Sequence, residues 1–107
     1  MHVRVARFEG LDVSQVERDY EQFREMIHMR ERPEGMPEDV FETLRDRVRR
    51  VMSMVDREAG VSLDLTFTDN AEDAQRVHEA LDSLTPPEGS GRRTSVQTYE
   101  LMVDEEL

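Results

Sequence analysis

Residues 61–68, VSLDLTFT, alternate without interruption, with Val61, Leu63, Leu65 and Phe67 on one side and Ser62, Asp64, Thr66 and Thr68 on the other. A period of two marks a strand with two unlike faces, and β-branched and aromatic side chains favour that conformation. Such a strand needs partners for its apolar row, because a hairpin alone is marginal in water. The preceding stretch, VMSMVDREAG, ends in Glu58-Ala59-Gly60, where Gly60 can adopt the positive φ of a hairpin turn with a bulge. A hairpin of strands at 49–56 and 61–68 is therefore the centre from which the remaining chain is read.

Two readings compete for residues 38–55. Val40, Leu44, Val48, Val51 or Met52, and Val55 fit a continuous helix, whereas Val51, Ser53 and Val55 alternate with Met52 and Met54 as a strand would. The hairpin signal at 58–60 favours a short helix over 38–46 followed by the strand. Upstream, HVRVARFEG alternates as a strand over 2–9 with both faces partly apolar, ended by Gly10. Val13, Val16, Tyr20, Phe23 and Ile27 then recur at helical spacing, and Ser14 with Glu17 has capping-box spacing, which predicts a helix over 14–29. RPEGMP at 32–37 is a connection. Downstream, Asp69 with Glu72 suggests a second cap, and Ala74, Val77, Leu81 and Leu84 form the stripe of a helix over 70–84. TPPEGSGRR at 85–93 reads as a surface connection, and SVQTYELMV as a last strand over 95–103.

The order strand, helix, strand, strand, helix, strand over 1–107 predicts one α+β domain of ferredoxin-like type, an antiparallel sheet with helices on one face. The other face then needs water or a second chain. Ala6, Phe8, Met52, Met54, Tyr99 and Leu101 are its candidates, and a homodimer packed through that face is the expected cover.

Composition narrows the function. The 107 residues carry 25 acidic and 14 basic side chains, a formal charge of -11, and every basic residue other than histidine is arginine. That balance argues against nucleic-acid binding, which relies on cations neutralising phosphates. Without cysteine there is no disulfide, thiolate nucleophile or thiolate metal site. No metal-ligand or phosphate-loop spacing is present, so no metal or cofactor is expected. No run approaches a membrane span and the N-terminus has no leader pattern, which makes the cytoplasm the default expectation and excludes a membrane partner.

The runs MSMVDREAGVSLDLTFTDNAEDAQRVHEAL and SVQTYELMV resemble the second half of the dimeric α/β-barrel superfamily, which includes antibiotic-biosynthesis monooxygenases and many small uncharacterised proteins. The resemblance implies face-to-face sheets in a dimeric barrel and a pocket between sheet and helices. Haem-degrading members carry an asparagine on the first strand, a tryptophan at the end of the third and a histidine on the next helix. Here the first strand reads VRVARF, Phe67 stands at the tryptophan position, and His78 alone approximates its counterpart, so haem degradation is not expected. Cofactor-free oxygenation of phenols requires less of the protein.

Four side chains on or beside apolar stripes are the ligand-pocket candidates: Tyr20, His28, His78 and Tyr99. His78 would be a base poised near neutrality, and the tyrosines would orient a polar group. For each, ordinary packing is the simpler account, and His28 at a helix end is explained by the helix dipole. Met26, Met29, Met36, Met52 and Met54 likewise read as packing before they read as an adaptable pocket. The sequence thus points first to a structural or regulatory dimer without an identifiable catalytic constellation. The alternative is a cofactor-independent monooxygenase or a binding protein for an apolar, aromatic or quinone-like molecule, and whether the chain is an enzyme stays open.

Overall fold

The computed structural model describes residues 1–29, 31–85 and 90–107. Its elements run β1 (His2–Glu9), α1 (Val16–Met29), α2 (Glu38–Arg47), β2 (Val48–Asp56), β3 (Val61–Thr68), α3 (Ala71–Asp82) and β4 (Arg92–Glu100). The strands form one antiparallel sheet in the order β2-β3-β1-β4. Residues 38–55 divide as the hairpin signal requires, with α2 giving way directly to β2, and Gly60 closes the turn at φ 67°. The 86–89 part of the connection expected at 85–93 lies outside the described residues.

Local chemistry moves three boundaries. Asp12, rather than Ser14, organises the start of α1: its carboxylate accepts from the backbone N–H and hydroxyl of Ser14 and from the Gln15 amide, and the helix begins at Val16. Asn70, rather than Asp69, caps α3 by accepting from the Asp73 backbone N–H, while Asp69 pairs with Arg49 at 3.0 Å. The last strand occupies 92–100 instead of 95–103 because β1 begins at His2, which pairs with Glu100. Beyond Leu101, whose N–H bonds the Met1 carbonyl, no strand remains to pair with.

The dimeric α/β barrel expected from the resemblance is not formed. The sheet is open: β2 and β4 are its two edges and do not bond one another. Closure around a packed interior takes about eight strands, and four twisted strands cannot bend far enough to meet.

Cross-strand pairing shows what each face carries. Arg4 pairs with Thr66, Ala6 with Asp64 and Phe8 with Ser62, while Ser53 stands opposite Asp64. These residues face α1 and α3, with Ala6, Ser62, Thr66 and Thr68 all buried. The alternate row holds Val3, Val5, Leu63, Leu65, Phe67, Met52, Met54 and Tyr99, and among the described residues no helix covers it. Ala6 and Phe8, expected on the open face, thus lie under the helices, and the clearest apolar row of the sequence points away from them. Met54 and Tyr99 are 48% and 52% exposed, yet Val3 and Phe67 are buried. At that end Arg50 stacks over the Phe67 ring at 5.7 Å, and Asp104 of the C-terminal segment reaches Arg50 at 3.9 Å. The segment leaves β4 at one edge of the sheet and meets β2 at the other.

The helices are unequally seated. α3 packs closely on β1 and β3 through Ala74 and Val77 and is joined to α2 by the Arg47–Asp73 pair. α1 approaches the sheet less closely: Val16 is buried, but Phe23 and Ile27 remain exposed, as does Val13 just before the helix.

Two glycines separate backbone strain from collision. Gly10 and Gly91 have φ of 73° and 77°, but a Cβ on Gly10 meets nothing within 4 Å, whereas one on Gly91 would lie 2.2 Å from the Glu9 carbonyl oxygen. Gly10→Ala should cost about 1–2 kcal/mol for its left-handed conformation. Gly91→Ala should cost at least about 2 kcal/mol more, because the β1 backbone must move. Urea unfolding of the two variants checks this, and equal losses would contradict it.

Candidate functional site

The layer between the sheet and helices α1 and α3 gathers most of the buried polar chemistry. Arg4 is 5% exposed and projects from β1 in the middle of the sheet. Its Nε–H donates to Nδ1 of His78 on α3 at 3.2 Å. A nitrogen that accepts carries no proton, so His78 is neutral and holds its proton on Nε2. Burial first, and then the charge of Arg93, lower the Arg4 pKa, against the opposing carboxylates of Asp82 and Asp64. The guanidinium nonetheless stays charged, as arginine does throughout proteins.

Asp64 lies on the same face. In an antiparallel sheet its Cα sits diagonally about 7–8 Å from that of Arg4. No ion pair joins them within 4 Å, and among the described residues no carboxylate comes within that distance of Arg4. Ser53 Oγ donates to Asp64 Oδ1 at 2.8 Å. Burial pushes the Asp64 carboxyl above the ordinary aspartate range, outweighing the lowering effects of that hydrogen bond and of Arg4. From α1, Tyr20 brings its hydroxyl beside Ser62 and Ser53, and burial followed by the charge of Asp64 raises its pKa. At the rim, Asp82 on α3 pairs with Arg93 on β4, which holds its carboxyl below the usual range.

Of the four sequence candidates, the fold brings Tyr20 and His78 into this layer and leaves two outside it. His28 is exposed in the last turn of α1. Tyr99 stands on the opposite face of the sheet, where its hydroxyl contacts the Gln97 side chain. Met52 and Met54 also lie on that face, and Met26 lines a shallow groove with Gln22, Glu25, Glu31, Arg32 and Pro33. Sequence reasoning missed Arg4 and Asp64. The signal was available in Arg4, flanked by Val3 and Val5, and in the polar half of VSLDLTFT, a row that reads as solvent-facing until a helix is placed over it.

Each arginine of 45–50 stands near a carboxylate: Arg45 near Asp46, Arg47 near Asp73, Arg49 near Asp69 and Arg50 near Asp104. Among the described residues there is no group of three or more histidines and acids able to hold a metal ion, and no helix is long and apolar enough to cross a membrane.

No protein-family model matches the chain, and no curated protein matches it. The resemblance to the dimeric barrel superfamily is therefore unsupported, and its consequences go with it. The barrel is replaced by an open sheet, and the identification as a structural or regulatory barrel protein or a monooxygenase loses its basis. The comparisons give the homodimer no support either, although the face expected to carry it is the uncovered apolar row.

The raised Asp64 pKa has a measurable sign. Between the unfolded aspartate value and its higher folded value, the native state binds more protons than the unfolded state, so stability falls as pH rises through that window. Above the window ionised Asp64 weakens the fold. Asp64→Asn should therefore be more stable than the unsubstituted protein at neutral pH, and the difference should shrink as the pH is lowered through the window. Urea unfolding at stepped pH checks this. A variant less stable at pH 7 than at pH 3 relative to the parent would contradict it.

Proposed function

We propose that this chain binds a small polar molecule between α1, α3 and the sheet, through an anionic oxygen held by Arg4 and a donor group received by Asp64. One observation carries this reading. A buried guanidinium and a half-buried carboxyl share one face of the sheet, yet the guanidinium bonds a neutral histidine and the carboxyl bonds a serine, and the two do not pair. Opposite charges under a helical layer normally close on each other, because desolvated charge without a partner is costly. Keeping them apart suits a third component that bridges them.

The surroundings support the same reading. Tyr20, Ser62 and Ser53 supply hydroxyls beside Asp64, and α1 is the less closely seated of the two helices over them. The lining of hydroxyls, carboxyl and guanidinium matches a polar ligand, in place of the apolar or aromatic one expected from sequence. Perturbed titratable groups in a shared, shielded layer are also a mark of functional sites. Tyr20 and His78 take positioning roles here: His78 fixes the Arg4 side chain, and Tyr20 covers Asp64.

The test is an NMR titration of the full chain with acetate, butanoate, 4-hydroxybutanoate and 4-aminobutanoate. At least one should give saturable shifts at the Arg4 Nε–H and the Ser62 and Asp64 amides, and Arg4→Met should abolish them. Arg4→Lys, which keeps the charge but loses the forked geometry, should weaken binding by about tenfold. No saturation by any of the four up to about 10 mM, where even a weak specific site would respond, would refute the reading.

A further inference from the structure

We propose that the molecule taken up in this layer is a zwitterion, a small amino carboxylate whose carboxylate meets Arg4 and whose ammonium meets Asp64. The inference rests on the binding reading above and specifies its ligand.

Charge balance in the layer argues for it. Arg4 contributes one positive charge and Asp64, when ionised, one negative; His78 is neutral because its Nδ1 accepts from Arg4, and the Asp82–Arg93 pair at the rim cancels internally. The layer is balanced before a ligand enters. A ligand of net charge -1 would pair with Arg4 and leave the half-buried charge of Asp64 uncompensated, whereas a zwitterion gives each fixed charge an opposite partner and leaves the sum at zero. The field outside agrees. A chain of net charge -11 repels an anion on approach but imposes no such penalty on a molecule of net charge zero.

The hydrogen-bonding capacity points the same way. Among the described residues Ser53 is the side chain that donates to Asp64, and it uses one carboxylate oxygen. An ammonium carries three donors and no acceptor, so it can engage the other oxygen together with the Tyr20, Ser53 and Ser62 hydroxyls that stand beside it. A ligand hydroxyl would supply a single donor there. At the other end, the guanidinium spends its Nε–H on His78, and its remaining N–H groups form the planar fork that suits a carboxylate.

The experiment is isothermal titration calorimetry of the full chain at pH 7 with matched pairs: β-alanine against 3-hydroxypropanoate, and 4-aminobutanoate against 4-hydroxybutanoate. At least one amino acid should bind about tenfold or more tightly than its hydroxy counterpart. Asp64→Asn, which keeps the shape of the side chain, should bring the pair to within about threefold while carboxylate binding persists. If that variant does not fold, the unsubstituted protein followed downward in pH should lose the same preference as Asp64 takes up its proton. Equal affinities within each pair, a tighter hydroxy acid, or a preference that survives both the loss and the protonation of Asp64 would overturn the zwitterion and leave carboxylate binding standing. Failure of every probe, acetate and butanoate included, would remove both readings together.

Discussion

The pairing of Arg4 with Thr66 and of Ala6 with Asp64 fixes everything else in this molecule. Side chains alternate strictly along a strand, so a slip of one residue between β1 and β3 would exchange the two faces and send Leu63 and Leu65 under the helices. The observed register is held from both ends. At one end Thr68, 1% exposed, donates its hydroxyl toward the carbonyls of His2 and Asn70, tying the start of β1 to the cap of α3. At the other end Gly60 turns the β2–β3 hairpin, and its carbonyl accepts from the Leu11 N–H just beyond β1. With the register pinned at both ends, α3 must lie over the polar row, and Ala6 leaves the room beneath it.

The consequence is an inverted distribution of polarity. Helices usually cover the apolar face of a sheet and leave the polar one to water. In this chain the helix-covered face carries Arg4, Ser62, Asp64, Thr66 and Thr68, while the uncovered face carries valines, leucines, methionines and Tyr99. The arrangement is tolerable because polar groups of this face find partners: buried Thr68 bonds backbone carbonyls, buried Arg4 bonds His78, and half-buried Asp64 accepts from Ser53. The remaining capacity of Arg4 and Asp64 gives the layer its chemical character. On the uncovered face, the C-terminal segment and the Arg50–Phe67 stack shield one end, which explains the burial of Val3 and Phe67 beside exposed Met54 and Tyr99.

Much of this architecture could be read from the chain. VSLDLTFT gives β3 at its observed limits, the glycine at 60 sits in its turn, and the change of period after Thr68 places α3. The division of 38–55 followed from the hairpin, since a continuous helix would leave β3 without one of its two neighbours. What could not be read depends on distant parts. The end of β4 is set by where β1 begins, and the helix starts are settled by competition among Asp12, Ser14, Asp69 and Asn70 for the same backbone donors. Tyr20 and His78 could be picked out as residues on apolar stripes, but their partners could not. Arg4 and His78 are 74 residues apart, and only the register of β1 on β3 and the seating of α3 bring them together. His28 and Tyr99 looked equivalent to them in sequence and differ only in which side of the fold receives them.

The placement of the polar row beneath the helices is tested most directly by side-chain NOEs from the Tyr20 and His78 rings. Tyr20 ring protons should show cross-peaks to the β-protons of Ser62 and Asp64, and the His78 ring should show them to the Arg4 side chain. Cross-peaks from the same two rings to the methyl groups of Leu63 and Leu65 would mean that β3 presents its other face to the helices. The polar layer, with Arg4 and Asp64 held apart within it, would then not exist.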